Sequence, residues 1–135
     1  MDLLVNIDVP DLAPGEAFYA GLFGLTVTRR FGDGGVELSG LPVKLYLLVN
    51  PEGSTGAGSD LRRYSRHWTP VHLDIVVEDV DAMRAAALAA GATADDEPAT
   101  HDWGRIAHMA DPFGNGFCLI QFLGRGYDEI APAIP

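Results

Sequence analysis

Cysteine is almost absent from this chain. Cys118 is the only one in 135 residues, and a single thiol cannot close an internal disulfide. Basic residues are scarce as well: 9 Lys and Arg face 19 Asp and Glu, a formal net charge of −10. That balance opposes nucleic acid and anionic membrane as partners, since both carry the same sign. No apolar run approaches the ~20 residues needed to span a bilayer. The opening Met1-Asp2-Leu3 has no basic stretch of the kind that begins a secretory signal. Together these absences predict a cytoplasmic protein with neither nucleic acid nor membrane as partner. The acidic charge also leans towards a cationic ligand, although its commonest role is to keep a protein in solution. What the chain does have is apolar content. Hydrophobic residues make up 47%, which excludes general disorder and suffices for one domain with a real core.

The organising feature is a repeat. Residues 4–12, LVNIDVPDL, lie over residues 72–80, HLDIVVEDV, without a gap. Val5, Ile7 and Val9 then match Leu73, Ile75 and Val77, alternate residues that share one face of a strand. The opposite face carries Leu4, Asn6 and Asp8 in the first copy and His72, Asp74 and Val76 in the second. Asp11 and Asp79 follow at the points where helices should begin, and a carboxylate there can accept free first-turn N–H groups. Each helix should end near a glycine, Gly24 or Gly91.

In chain order, residues 3–9 read as a strand and residues 12–23 as a helix. Ala17, Phe18 and Leu22 form the apolar stripe of that helix, with Tyr19 beside it. Strands follow at 25–31, 36–39 and 43–49, separated by turns rich in Gly and Pro. The first module is therefore β-α-β-β-β over residues 3–49. Residues 50–59, NPEGSTGAGS, read as a flexible linker, which extends to residue 70. Residues 61–68, LRRYSRHW, form a basic island in an acidic chain. Its arginines pair with nearby carboxylates, or it acts as a flap or an anion handle over a ligand. The second module spans 71–123: the repeated strand and helix, a strand start at Thr93 cut off by 95–98, and strands at 106–109 and 117–123. Asp111-Pro112-Phe113-Gly114-Asn115-Gly116 is the turn between the last two. Residues 124–135 are a tail, and both modules belong to a single domain.

Two βαβββ modules, Ala17-Phe18-Tyr19 with Gly24-Leu25, His72 followed by Asp79, and Asp111-Pro112-Phe113-Gly114-Asn115 occur here in one order. In this the chain resembles the vicinal oxygen chelate superfamily of glyoxalase I, extradiol dioxygenases and bleomycin-resistance proteins. The resemblance runs from Leu3 to Phe122. It implies an α+β fold of two tandem modules, sheets curled around a cavity and helices outside. It also implies that metal-dependent members hold their ion through His and Glu on the first and last strands of the modules. Those positions correspond here to Leu4, Tyr46, His72 and Cys118. Leucine cannot coordinate, tyrosine is a poor ligand for a hard cation, and residues 43–49 contain no carboxylate. A catalytic site needs about three protein ligands and an open position. The expectation is therefore no metal and no other cofactor.

The candidate ligand-binding residues are Asn6, Asp8, Tyr46, His72, Asp74, Trp103 and Cys118. His72 could be a hydrogen-bond partner or base, or a histidine satisfied by Asp74 or Trp68. Cys118 could be a nucleophile activated by His72, or an inert packing residue. Trp103 could line a cavity or belong to the core. The resulting expectation is a metal-free protein that binds or sequesters a small organic molecule, cationic or polyhydroxylated, and forms a homodimer. The alternative is a lyase, isomerase or dioxygenase of the same superfamily, with an atypical metal site or with His72 as a metal-free base.

Overall fold

Two carboxylates start the two helices, as the repeat requires. A computed structural model describes all of residues 1–135, and the chain divides into units 1–65 and 66–135. In the first unit, β1 (Leu4–Val9) leads through Asp11 into α1 (Leu12–Phe23). The Asp11 side chain accepts a hydrogen bond from Ala13 N at 3.3 Å. Gly24 closes the helix at φ 65°, a left-handed conformation that glycine adopts without strain. Next come β2 (Thr26–Arg30), β3 (Gly35–Ser39) and β4 (Lys44–Val49), in an open mixed sheet of order β1-β4-β3-β2. β1 pairs with β4 in parallel; the other pairings are antiparallel.

The helix covers one face of this sheet. Phe18 and Tyr19 are buried with Val9, Val36, Leu38, Leu45 and Leu47, and the two rings meet edge to face at 5.0 Å. Gly15 lets the helix approach closely, since a Cβ there would stand 3.2 Å from Val9 Cγ1 and 3.3 Å from Leu47 Cδ1. The stripe differs from the expected one at Ala17, which is exposed. Gly15 takes its place in the helix–sheet contact because a methyl group would crowd the strands. The Gly/Ser-rich stretch is a hairpin and not a flexible linker: β5 (Thr55–Ala57) pairs with β6 (Asp60–Leu61). Its return strand is tied down by Arg62, whose Nε donates to Asp8 at 2.6 Å, and by Tyr64, whose hydroxyl donates to the Asn50 carbonyl at 2.5 Å.

The second unit repeats the plan. β7 (Leu73–Val76) is followed by α2 (Val80–Ala89), β8 (Thr93–Ala94), β9 (Ala99–His101), β10 (Gly104–Ala110) and β11 (Gly116–Phe122). The sheet order is β7-β11-β10-β8, with β9 also on β10. Here too the first strand pairs in parallel with the last. Val80 and Ala87 of α2 are fully buried, as are Ala107, Met109 and Leu119 of the sheet. Asp79 caps α2, accepting from Ala82 N at 2.9 Å. Asp79→Ala should cost about 1 kcal/mol, the usual value of such a cap, read as a lower urea midpoint with unchanged slope. The tail forms a 3-10 turn at Gly126–Glu129, which sets Tyr127 against Phe122 at 4.9 Å between ring centroids. No helix is long and apolar enough to cross a membrane.

Candidate functional site

Strand register builds the site in the second unit. The faces of β7, β10 and β11 alternate, and Ala107, Met109 and Leu119 form a buried apolar set. The other set meets across the sheet. Asp74 on β7 stands opposite Cys118 on β11, and Cys118 stands opposite His108 on β10. One polar row therefore crosses three strands. His72, just before β7, extends it: its Nε2 lies 3.1 Å from Asp74 Oδ1. At the far end, His108 Nδ1 lies 3.0 Å from Asp96 Oδ2.

This row lines a cavity of about 280 Å³. Arg66 and Trp68 close one side of it, and Asp95 and Ile106 contribute to the other walls. Arg66 is held on Asp95 by a fork of two bonds, Nε to Oδ1 at 3.1 Å and Nη2 to Oδ2 at 2.7 Å, and also donates to the His67 carbonyl. The bidentate bond holds the Asp95 carboxyl below the usual carboxylate range. Gly116 makes room for this guanidinium, whose central carbon would lie 3.2 Å from a Cβ added there. Cys118 is buried. Desolvation, and next the Asp74 carboxylate beside it, push its thiol up to about 12. At neutral pH it is a thiol and not a nucleophilic thiolate.

The candidate residues thus separate. His72, Asp74 and Cys118 come together in the second unit, and each offers one ligand atom within 4.8 Å of the others. Trp103 is not among the residues lining that cavity. It stacks on His101 at 5.5 Å and packs against Phe122 and Tyr127, because the turn before β10 directs it towards the tail. In the first unit, Asp8 is engaged by Arg62 and by Asn50 Nδ2 at 2.8 Å. Asn6 is exposed and faces Tyr46 in register. Tyr46 donates to Glu37 Oε2 at 2.7 Å, and that bond raises its own pKa and lowers that of Glu37.

Arg66, Asp95, Asp96 and His108 were not among the candidates, and neither was Glu37. His108 could have been found from the turn at 111–115, which fixes it opposite Cys118. Glu37 sits between two core residues, Val36 and Leu38. Only the pairing of β3 with β4 puts it beside Tyr46.

Residues 4–120 match the glyoxalase-like domain family. The chain belongs to that family. As a glyoxalase-like domain it falls within the vicinal oxygen chelate superfamily, whose fold its two βαβββ units reproduce. No curated protein matches the sequence. Among solved structures, the domain is similar to a glyoxalase/bleomycin resistance protein/dioxygenase family enzyme from Burkholderia phytofirmans PsJN. The TM-score is 0.70 at 22% identity, covering 91% of this chain and 100% of that one. It is similar to the fosfomycin resistance protein FosX from Listeria monocytogenes, with TM-score 0.68, 16% identity and 90% and 92% of the two chains covered. A lactoylglutathione lyase from Agrobacterium tumefaciens gives TM-score 0.62 at 17% identity, again covering 90% and 92%. At these identities the likeness is one of fold.

The resemblance assigns metal ligands to Leu4 and Tyr46 in the first unit and to His72 and Cys118 in the second, and the donor chemistry of the first two is poor for a hard divalent ion. Leu4 has no donor atom. The Tyr46 proton is held by its bond to Glu37, and the thiol of Cys118 is held by burial. Asp74 is the one carboxylate beside His72 and Cys118, and it occupies none of those four positions.

Proposed function

We propose that this glyoxalase-like domain is a metal-free protein that binds or sequesters a small cationic or polyhydroxylated organic molecule, a drug or a metabolite. The observation that carries this reading is the charge of the second unit's cavity. Three carboxylates, Asp74, Asp95 and Asp96, line it with a single guanidinium, and that guanidinium is already bound to one of them. The walls also offer Trp68 and Ile106 as apolar surface, so both elements of a small-molecule pocket are present. The reading includes a homodimer in the cytoplasm, with no nucleic-acid or membrane partner.

The second reading is a lyase, isomerase or dioxygenase with an atypical metal site or with His72 as a metal-free base. The first of these variants is favoured by the imidazole, carboxylate and thiol of His72, Asp74 and Cys118 lying within 4.8 Å of one another. Elemental analysis of protein purified without chelator or histidine tag separates the two. Sub-stoichiometric metal before and after incubation with zinc, nickel, iron(II) and manganese is the expected result. It should accompany thermal stabilisation by organic cations. One equivalent of a single metal, lost in His72→Ala, would instead overturn the metal-free reading and call for lyase and dioxygenase assays.

A further inference from the structure

We infer that residues 66–71 form a strap that gates the cavity of the second unit, with the Arg66–Asp95 fork as its latch and Gly116 as the seat of that latch. Such a gate is independent of which small molecule the cavity takes, so it goes beyond the binding reading above. The cavity has two kinds of wall. One is sheet: Asp74 on β7, His108 on β10 and Cys118 on β11 are held by paired strands. The other is the strap, which lies between β6 and β7, contains neither helix nor strand, and contributes Arg66 and Trp68. Trp68 lines the cavity and yet is 79% exposed. A strap pressed down on a ligand would cover apolar surface that now meets water.

The two halves of the latch are held unequally. Asp95 is fixed to the sheet by its backbone, since its N–H donates to the His108 carbonyl at 3.0 Å. Arg66 belongs to the strap. Its bond to the His67 carbonyl, and that of Thr69 Oγ1 to the Val71 carbonyl at 2.8 Å, lie within the strap and would travel with it. The fork from Arg66 to Asp95 joins the two parts. Both side chains are 36% exposed, and an ion pair so placed contributes little net stability. It sets a resting position without locking it. Gly116 is shaped to this latch. It lies on β11 and its φ is outside the left-handed region, so the backbone makes no demand for glycine there. A Cβ at this position would stand 3.0 Å from Arg66 Nη1 and 3.1 Å from Nη2, and its three nearest atoms all belong to that guanidinium. The missing side chain is the space in which the latch sits. Gly116→Ala would therefore push the arginine off its seat and leave every charge in place.

The thiol of Cys118 is a built-in reporter. It is the chain's one cysteine, and it lines the cavity while only 6% exposed. Alkylation of the full chain by iodoacetamide at fixed pH should be slow in the parent. It should be on the order of fivefold faster in Arg66→Gln, Asp95→Asn and Gly116→Ala, the shift that loss of a half-exposed pair provides. High salt should speed the parent towards the variants. Electrostatics alone predicts a different pattern. Desolvation and Asp74 chiefly raise the thiol pKa and Asp95 adds to this, whereas the Arg66 cation acts against it. Removing Asp95 and removing Arg66 would then shift the rate in opposite directions, and Gly116→Ala would not shift it. Glu97→Gln, a carboxylate on Arg84 that is not among the cavity's lining residues, should react like the parent. Acceleration in all three latch variants, without matching falls in urea midpoint, is the expected result. Rates in Arg66→Gln and Gly116→Ala no faster than the parent's would overturn the gate. So would rates that follow the urea midpoints, since the thiol would then react through global unfolding.

Discussion

Asp111→Ala should lower the stability of the protein by about 3 kcal/mol, the cost of orphaning one buried and one part-buried backbone amide. The Asp111 carboxylate is 2% exposed. Its Oδ1 accepts from Phe113 N at 2.8 Å and from Asn115 N at 2.9 Å, and its Oδ2 accepts from Asn115 Nδ2 at 2.9 Å. Alanine removes the acceptors and leaves the donors in place. For a domain of this length the loss corresponds to a fall of roughly 10 °C in Tm. Asp111→Asn keeps the acceptor for the two backbone amides but turns an N–H towards Asn115 Nδ2, so it should cost less than half as much. Thermal denaturation of the two variants decides the matter. Equal and small shifts would show that the carboxylate is not what holds this turn. The effect reaches the cavity, because this turn sets the register of β10 on β11. A loosened turn should also weaken binding of whatever ligand spans His108 and Cys118.

The second large effect is alkaline. Cys118 is raised in the folded protein to about 12, against an ordinary thiol value near 8.5. Between those limits the unfolded chain has lost the proton and the folded chain retains it. The folded state therefore binds more protons, and stability falls as pH rises. The contribution is fully present below about pH 8.5 and is lost as pH rises towards 12. Its slope is about 1.4 kcal/mol per pH unit and its total on the order of 5 kcal/mol. Tyr46, raised by its bond to Glu37, adds a loss of the same sign at the upper end. Urea melts at pH 8, 9, 10 and 11 should show the decline in the parent. Cys118→Ala should begin less stable from the packing it loses but decline more gently. Parallel curves for the two proteins would mean that the thiol ionises freely in the folded state.

The sequence carried the frame of the molecule because that frame is periodic. Val5, Ile7 and Val9 recur as Leu73, Ile75 and Val77, and Asp11 and Asp79 announce both helices. The structure keeps these signals because they are local and face-specific. Ala17 escaped the same reasoning because a helix wheel records which residues are apolar, not how closely the helix packs. Here it packs so closely that glycine holds the contact. The site was half legible for a related reason. His72, Asp74 and Cys118 lie on or beside the strands that the repeat and the resemblance mark out. Their neighbours Asp95 and Asp96 read as residues that stop a strand. Their charge matters only once β8 has brought them against β10, a pairing of two residues at each end with almost no pattern of its own. Trp103 shows the reverse case: a conspicuous residue whose neighbours, Phe122 and Tyr127, are supplied by segments far along the chain.

The parallel seam in each unit has a kinetic side. β1 finds its only strand partner 40 residues later, where Leu4 meets Lys44, and β7 waits 44 residues for β11, where Leu73 meets Phe117. The hairpins β3–β4 and β10–β11 close loops of a few residues, which costs little chain entropy, while each seam closes a loop roughly ten times longer. During synthesis the first strand of each unit emerges long before anything exists for it to pair with. The edge it will occupy stays open until the last strand of that unit has left the ribosome.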